Sequence, residues 1–442
     1  MIPCRNEKIA QSPAPMHSNR SLPVLIISFI FIAFLAQNCS ERTRSNPFDP
    51  QNPLTLGRPD PPEVISIIDS VRLQLPLYSH DDILSYNIYR KLAVESRFTK
   101  IAEAPIADAV FWDVGASFDV ERLYRISIST DSYESPPSDS VQIRPGPTFV
   151  WALDAETGRV SKLSHDGRHE VLRTSLFIEP FAFTINARRQ FGVIADFFSP
   201  QLFILNLRTG ELGESILVGR RVTDIALNEF DNTIWVFKQD SSFIRKIDFA
   251  GRTQFEITDL QEPRDVALNP QTSSIWVAEK RAARIREFNR NGQNITTRTG
   301  FANIQSLAVF EQNGAVWVAD SNAVHIFEPD GAAELTTISG FGLAEKLAVD
   351  QASGACWVID SGGDFRNSEL IKISKNGDIE FSVAGLDAPR DLAVNNFNGY
   401  CFVAEAGARK LAQFNNFGEQ ISGLTARGAF VKVVIEDRSR LR

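Results

Sequence analysis

A four-residue cue recurs seven times in this chain: a large hydrophobic anchor, two apolar residues and usually an acid, clearest as Trp317-Val318-Ala319-Asp320. The copies begin at Trp151, Val193, Trp235, Trp276, Trp317, Trp357 and Phe402, so the successive gaps are 42, 42, 41, 41, 40 and 45 residues. A period near forty is the signature of one supersecondary unit that cannot bury its own apolar face and stacks on copies of itself. That restricts the chain to a solenoid or a propeller.

The rest of each unit chooses between them. An apolar strand precedes the cue, as in Thr223-Asp224-Ile225-Ala226-Leu227, Arg264-Asp265-Val266-Ala267-Leu268 and Arg390-Asp391-Leu392-Ala393-Val394, and pairs such as Asn313-Gly314 and Asn398-Gly399 join it to the cue as a hairpin. A third strand follows and runs out at Gly167, Gly210, Gly251, Gly292, Gly331, Gly377 or Gly418. Glycines in register predict a turn with positive φ in every unit. With a looser fourth strand, each unit is a four-stranded meander, which is one propeller blade. The region 148–442 opens at Phe149-Val150-Trp151 with no inner strand before it and ends on a surplus one, Phe430-Val431-Lys432-Val433-Val434-Ile435. The surplus strand is expected to complete the first blade, closing a seven-bladed β-propeller and hiding two sheet edges.

At Pro389-Arg390-Asp391-Leu392-Ala393-Val394, Cys401-Phe402-Val403-Ala404-Glu405 and Trp317-Val318-Ala319-Asp320-Ser321-Asn322 the repeats resemble the NHL and related YVTN-type propeller repeats of bacterial surface proteins. They lack the Gly-His and Trp-Asp pair of WD40 units and fall short of the ~50-residue kelch spacing.

Upstream, residues 59–147 change to short alternating strands such as Val71-Arg72-Leu73-Gln74-Leu75 and Leu123-Tyr124-Arg125-Ile126-Ser127-Ile128, the pattern of half-buried strands in a small sandwich. Through Tyr86-Asn87-Ile88-Tyr89-Arg90, Trp112-Asp113, Leu123-Tyr124-Arg125-Ile126 and Glu134-Ser135-Pro136-Pro137-Ser138 the segment resembles a fibronectin type III domain. It departs where such domains carry a tryptophan on the second strand, since Leu73 or Leu75 stands there. The resemblance implies a spacer or docking module. The expected fold class is therefore all-β, a fibronectin type III-like sandwich followed by the seven-bladed propeller.

The N-terminus reads as an export signal over 1–38. Residues 22–36 are an uncharged apolar run of 15, preceded by Arg20. That is shorter than the ~20 residues of a membrane span and matches a signal-peptide core. Met16 is the better start, because it leaves a compact leader. Ala36-Gln37-Asn38-Cys39 resembles the processing site of a bacterial lipoprotein, although Asn38 stands where a small residue is usual. The resemblance implies lipidation at Cys39, a membrane attachment through that anchor, and a body facing the periplasm or cell surface. Residues 39–58, with Asn46-Pro47-Phe48-Asp49-Pro50-Gln51-Asn52-Pro53, form a proline-rich tether.

A net charge of −8 and the lack of any Lys/Arg run argue against nucleic acid as a partner. No phosphate loop, serine elbow or Cys-x-x-Cys pair occurs, and His165 and His169, four apart, flank a glycine turn and not a helix, so no cofactor, metal ligand or catalytic residue is predicted. Cys356 and Cys401 hold equivalent places in adjacent blades, roughly 10 Å apart by sheet spacing and beyond the ~7 Å Cα limit of a disulfide. They are expected to be buried free thiols.

The acids that end the cue (Asp154, Asp196, Glu279, Asp320, Asp360, Glu405) recur too regularly for a site and are expected to cap turns or pair with arginines. Function is expected where the repeat breaks. The breaks are Phe197 and Phe198 after Asp196, Lys238 in place of the acid, Lys280 and Arg281, and the insertion 362–368 with Asp364, Phe365 and Arg366. Antiparallel order puts these on one face with Arg264 and Arg390, at the starts of inner strands. Exposed aromatics and cations on one rim predict a noncatalytic binding or scaffold protein of the cell envelope, recognising an envelope protein, peptide or glycan. The alternative is a metal-dependent lactonase, hydrolase or lyase working in the central channel, as the gluconolactonase-type hydrolases and streptogramin lyases on related propellers imply. It requires three or four Glu, Asp, Asn or His side chains converging there from different blades.

Overall fold

The computed structural model describes residues 49–52, 56–78, 82–174, 177–229, 231–238, 241–331 and 333–439. The leader 1–38, the Met16 start and Cys39 lie outside the described residues, as does most of the tether. The chain divides into two units, Met1–Pro59 and Asp60–Arg442. In the first, the Asp49 carboxylate accepts the Gln51 N–H at 2.9 Å, a local turn within the proline-rich stretch.

The second unit is all-β, and no helix among the described residues is long and apolar enough to cross a membrane. Its larger part is a propeller-like repetition of four-stranded antiparallel sheets, seven of them among the described residues between Thr148 and Asp437. We number these sheets one to seven along the chain. Their innermost strands are Phe430–Asp437 for sheet one, then Pro180–Asn186, Val222–Asn228, Pro263–Asn269, Ile304–Val309, Ala344–Val349 and Pro389–Asn395. Each innermost strand neighbours the next, and Phe430–Asp437 neighbours both Pro180–Asn186 and Pro389–Asn395, so the circle is closed.

The repeated anchor explains itself once the sheets are stacked. Trp317 of sheet five packs with Leu347, Val358 and Ile371 of sheet six. Trp276 packs with Leu307, Val316 and Val318 of sheet five, and Phe402 with Val150, Leu163 and Val433 of sheet one. A single large side chain per unit thus fills the wedge between two sheets, and burying it is worth roughly 2–3 kcal/mol. At Val193 the anchor is small, and the same junction adds a Phe191–Phe249 edge-to-face contact at 5.2 Å.

The glycines at the ends of the third strands take positive φ, for example +78° at Gly292 and +65° at Gly331. Their hydrogen is also needed for space. A Cβ on Gly292 would sit 2.7 Å from the Phe255 ring, and one on Gly331 2.5 Å from Trp276. Each turn is pressed against the preceding sheet.

Sheet one is made from both ends of the region. Its strands run Glu170–Thr174, Arg159–Leu163, Thr148–Asp154, Phe430–Asp437, and Trp151 opposes Val434. Glu436 brings a fully buried carboxylate into this sheet, where it accepts Trp151 Nε1–H at 2.8 Å and meets Lys162 Nζ at 2.9 Å.

Residues before the ring form two more antiparallel sheets. One has three strands, Glu63–Ile67, Ser70–Gln74 and Val110–Val114, and the other four, in the order Thr99–Pro105, Ser85–Leu92, Arg122–Ser129, Val141–Ile143. Asp113 of the first ties them together, accepting two bonds from Arg90 at 2.7 and 2.8 Å and one from Tyr124 at 2.5 Å. This part is fastened to the ring at the junction of sheets seven and one. Asp119 Oδ1 accepts Asn398 Nδ2–H at 3.0 Å and lies 3.0 Å from Nε2 of the buried His165, Glu121 meets Arg168 at 3.3 Å, and Phe118 packs edge-on against Phe397.

Candidate functional site

The inner strands reach the channel with a common irregularity. In all seven, the register against the next strand slips between the first and third residues, a bulge that re-aims the side chain after it. The third residues are Ala182, Asp224, Asp265, Ser306, Lys346, Asp391 and Lys432. All but Ala182 line one central cavity of about 430 Å³, which Ala226, Ala348 and Ala393 continue two residues further along their strands.

This throat is an ion network whose members differ sharply in how well they are satisfied. Asp265 Oδ2 accepts the Ser306 hydroxyl at 2.7 Å and the Leu307 N–H at 2.9 Å, and Asp391 Oδ2 accepts the Val433 N–H at 3.0 Å. Each therefore grips the neighbouring sheet. Lys346 stands 3.9 Å from Asp265 and Lys432 3.7 Å from Asp391. Asp224 breaks the pattern, because the Val266 N–H it would grip is taken by Asp265's own carboxylate at 3.0 Å. Burial pushes the Asp224 carboxyl above its ordinary value, against the pull of Lys432 and Lys346 and with the help of Asp265.

The channel alternative needed a metal set. Three carboxylates from different sheets do stand in the circle of third residues, but each has an oxygen bound to a backbone N–H and two ammonium groups stand among them. A divalent cation would meet those lysines at close range. Among the described residues no group of three or more His, Cys, Asp or Glu is placed to hold a metal ion. The donor set does not fit the group that the alternative requires.

The mouth above the throat is formed by the second residues of the same strands. Arg264 and Arg390 are exposed there and both act on Glu345 between them, whose carboxyl is raised by burial and pulled down by the two guanidinium groups. Two sheets from each of them around the circle, Phe181, 40% exposed, packs on Phe197 at 6.1 Å, and Phe197 on Phe198 at 5.3 Å. Phe198 is 51% exposed and Ile178 72%.

The structure thus joins Phe197 and Phe198 into one aromatic cluster and sets Arg264 and Arg390 on either side of Glu345. Lys238 pairs with Val222, the first residue of an inner strand. It is half-buried at the end of Thr233–Lys238, where burial and the nearby Arg245 lower its pKa. Lys280 and Arg281 form a turn whose backbone N–H groups bond to Glu262 and Gln261. Asp364, Phe365 and Arg366 are exposed on a loop that bonds within itself and accepts the Ala388 N–H at Phe365, just before the inner strand of sheet seven. Phe181 and the throat residues were missed, though the sequence held a signal: aligned at their third positions, the inner strands change from acid to hydroxyl to base.

The acids that end the cue are architectural, as expected. Asp320 accepts the N–H groups of Ala302 and Asn303 at 2.7 and 2.5 Å, and Asp360 those of Gly342 and Leu343 at 2.9 and 2.6 Å. Each pins the segment leading into the inner strand of its own sheet. Glu279 bonds Gln261 N–H at 2.8 Å and pairs with Arg284 at 2.9 Å. Cys356 and Cys401 are buried and free, with thiols pushed up by burial.

No family model matches the chain, and no curated protein does. Solved structures do. A functionally unknown protein from Desulfotomaculum acetoxidans is similar at 14% identity and a TM-score of 0.56, over 65% of this chain and 98% of that one. A provisionally assigned 6-phosphogluconolactonase from Bacteroides uniformis is similar at 11% identity and the same TM-score of 0.56, over 65% of this chain and 99% of the other. At such identities the likeness is one of fold, and the fold is a repeated, propeller-like all-β ring.

Proposed function

We propose that the chain is an exported, lipid-anchored, noncatalytic binding protein of the cell envelope. In this reading the leader 1–38 is removed, Cys39 carries the lipid, residues 39–58 are the tether, and a fibronectin type III-like domain (59–147) supports a seven-bladed propeller (148–442). The propeller binds a protein or peptide through its mouth. The observation that carries this reading is the conjunction of exposed Arg264 and Arg390 with the Phe181–Phe197–Phe198 cluster on one rim. Exposed aromatics and arginines supply most of the binding energy at protein interfaces, and two exposed guanidinium groups on one rim favour an acidic segment with apolar neighbours.

Binding of labelled acidic–aromatic peptides to the full chain tests this, with lysine–aromatic peptides as the counter-probe. The acidic set should bind, and the double variant Arg264→Glu, Arg390→Glu should weaken it by about a hundredfold. Equal binding of both sets, or an unaffected double variant, contradicts the reading. Attachment is tested separately by the mass and membrane fractionation of Cys39→Ser. Unchanged mass and fractionation would remove the lipid anchor.

A further inference from the structure

The circle of third residues in the throat is uneven, apart from anything at the rim. Around the circle of third residues, Lys432 and Asp224 stand on either side of Ala182, the one position whose side chain has no polar atom. Asp224 makes one hydrogen bond among the described contacts, accepting the N–H of the next residue, Ile225, at 2.9 Å. Its second oxygen has no partner there, and it shares the cavity with Asp265, a like charge. Lys432 stands 3.7 Å from Asp391, beyond a close hydrogen bond; Asp391, Asp224 and Asp265 hold its ammonium charged against burial, and none of the described hydrogen bonds uses its three donors.

Four acids and two bases line one channel, yet its lysine–carboxylate pairs stand no closer than 3.7 Å among the described contacts, so the charges are not paired for stability alone. Here a carboxylate with a spare acceptor and an ammonium with spare donors face a common space, with a layer of small side chains beside it. We propose that this space is a binding site for a small zwitterion of the α-amino-acid class, its ammonium on Asp224 and its carboxylate on Lys432. The ligand supplies the missing seventh member of the circle and satisfies both ions at once. Ala226, Ala348 and Ala393 leave room for an aliphatic side chain below the charged ring. The site takes a free amino acid and is independent of the rim, so neither reading stands or falls with the other.

Calorimetric titration of the full chain in detergent tests it, with L-leucine as the probe. Two fragments serve as controls: 4-methylpentanoate, which lacks the ammonium, and 3-methylbutylamine, which lacks the carboxylate. L-leucine should bind at millimolar concentration or below, and each fragment about tenfold or more weakly, since each forfeits one charge-assisted contact. Asp224→Asn, close in shape and without a neighbouring sheet to release, should weaken leucine by about tenfold and leave 4-methylpentanoate unchanged. Lys432→Gln should do the reverse, weakening leucine and sparing 3-methylbutylamine. Absence of leucine binding, or binding of either fragment as tight as leucine, overturns the proposal, and those two measurements need no variant to fold.

Discussion

The ammonium of Lys162 lies 2.9 Å from the carboxylate of Glu436, joining residues from opposite ends of the ring across Trp151 in one sheet. The pair reaches further, because Lys162 also donates to the Leu207 carbonyl of sheet two at 2.7 Å and stands 4.1 Å from the centre of the Phe149 ring. Burial already lowers the Lys162 pKa to about 8 although Glu436 pulls it up, so removing the carboxylate leaves a buried amine without its partner. Glu436→Ala should therefore destabilise the fold by about 3–5 kcal/mol in urea unfolding, and a loss below ~1 kcal/mol would show the latch to be dispensable.

The same carboxylate gives a pH dependence. Burial pushes Glu436 upward, but Lys162 and Arg438 outweigh it and hold its pKa below the ordinary 4.5. A folded value below the unfolded one stabilises the protein above 4.5, and that stabilisation is lost as the pH falls through the folded value. In melting curves, the acid-side fall in midpoint should be shallower in Glu436→Gln than in the parent. Parallel curves would assign the acid sensitivity to other groups.

Two kinds of glycine should separate cleanly. Gly331→Ala meets both an unfavourable φ and the Trp276 ring, and should cost roughly 2–4 kcal/mol. Gly362→Ala, at φ +56° with nothing within 4 Å of the new Cβ, should cost about 1 kcal/mol. Chemical denaturation of the two variants checks the difference, and equal losses would mean that the space beside Trp276 is not tight.

Cys356 and Cys401 should resist alkylation in the native protein. Burial removes access and raises both thiols, so the reactive thiolate is scarce. Peptide mass mapping after iodoacetamide should find them unmodified until denaturant is added. Rapid labelling under native conditions would place them at the surface.

Asp119 is the contact through which the N-terminal sheets hold the seam between sheets seven and one. It accepts from Asn398 and faces buried His165, so Asp119→Ala should raise hydrogen exchange around 395–400 and in the 144–147 link without changing the ring core. Unaltered exchange there would mean the junction is held by the Phe118–Phe397 and Glu121–Arg168 contacts instead.

The parts legible in the sequence are those repeated in kind. The tryptophan anchors, the turn glycines and the architectural acids recur at one spacing because every junction between sheets poses the same packing problem. The throat was illegible for the opposite reason. Its positions coincide in space while their chemistry changes from Asp224 to Ser306 to Lys346, and the bulge that turns them inward leaves no compositional trace. The rim was half legible: Phe197 and Phe198 stood out as breaks, but Phe181, inside an ordinary inner strand, joined them only through three-dimensional contact. Lys238 and the loop at 364–366 broke the pattern equally well, but no ring contact or ion pair among the described residues joins them to the aromatic cluster.

The order in which this chain is synthesised gives the shared sheet a meaning in time. Trp151 waits for Glu436, 285 residues behind it. Until then the Thr148–Asp154 strand presents a bare edge, and the neighbouring sheets lack the last wedge that would lock them. Nascent chains truncated before Phe430 should therefore remain clients of whatever chaperone receives them, and maturation should arrive as one late event.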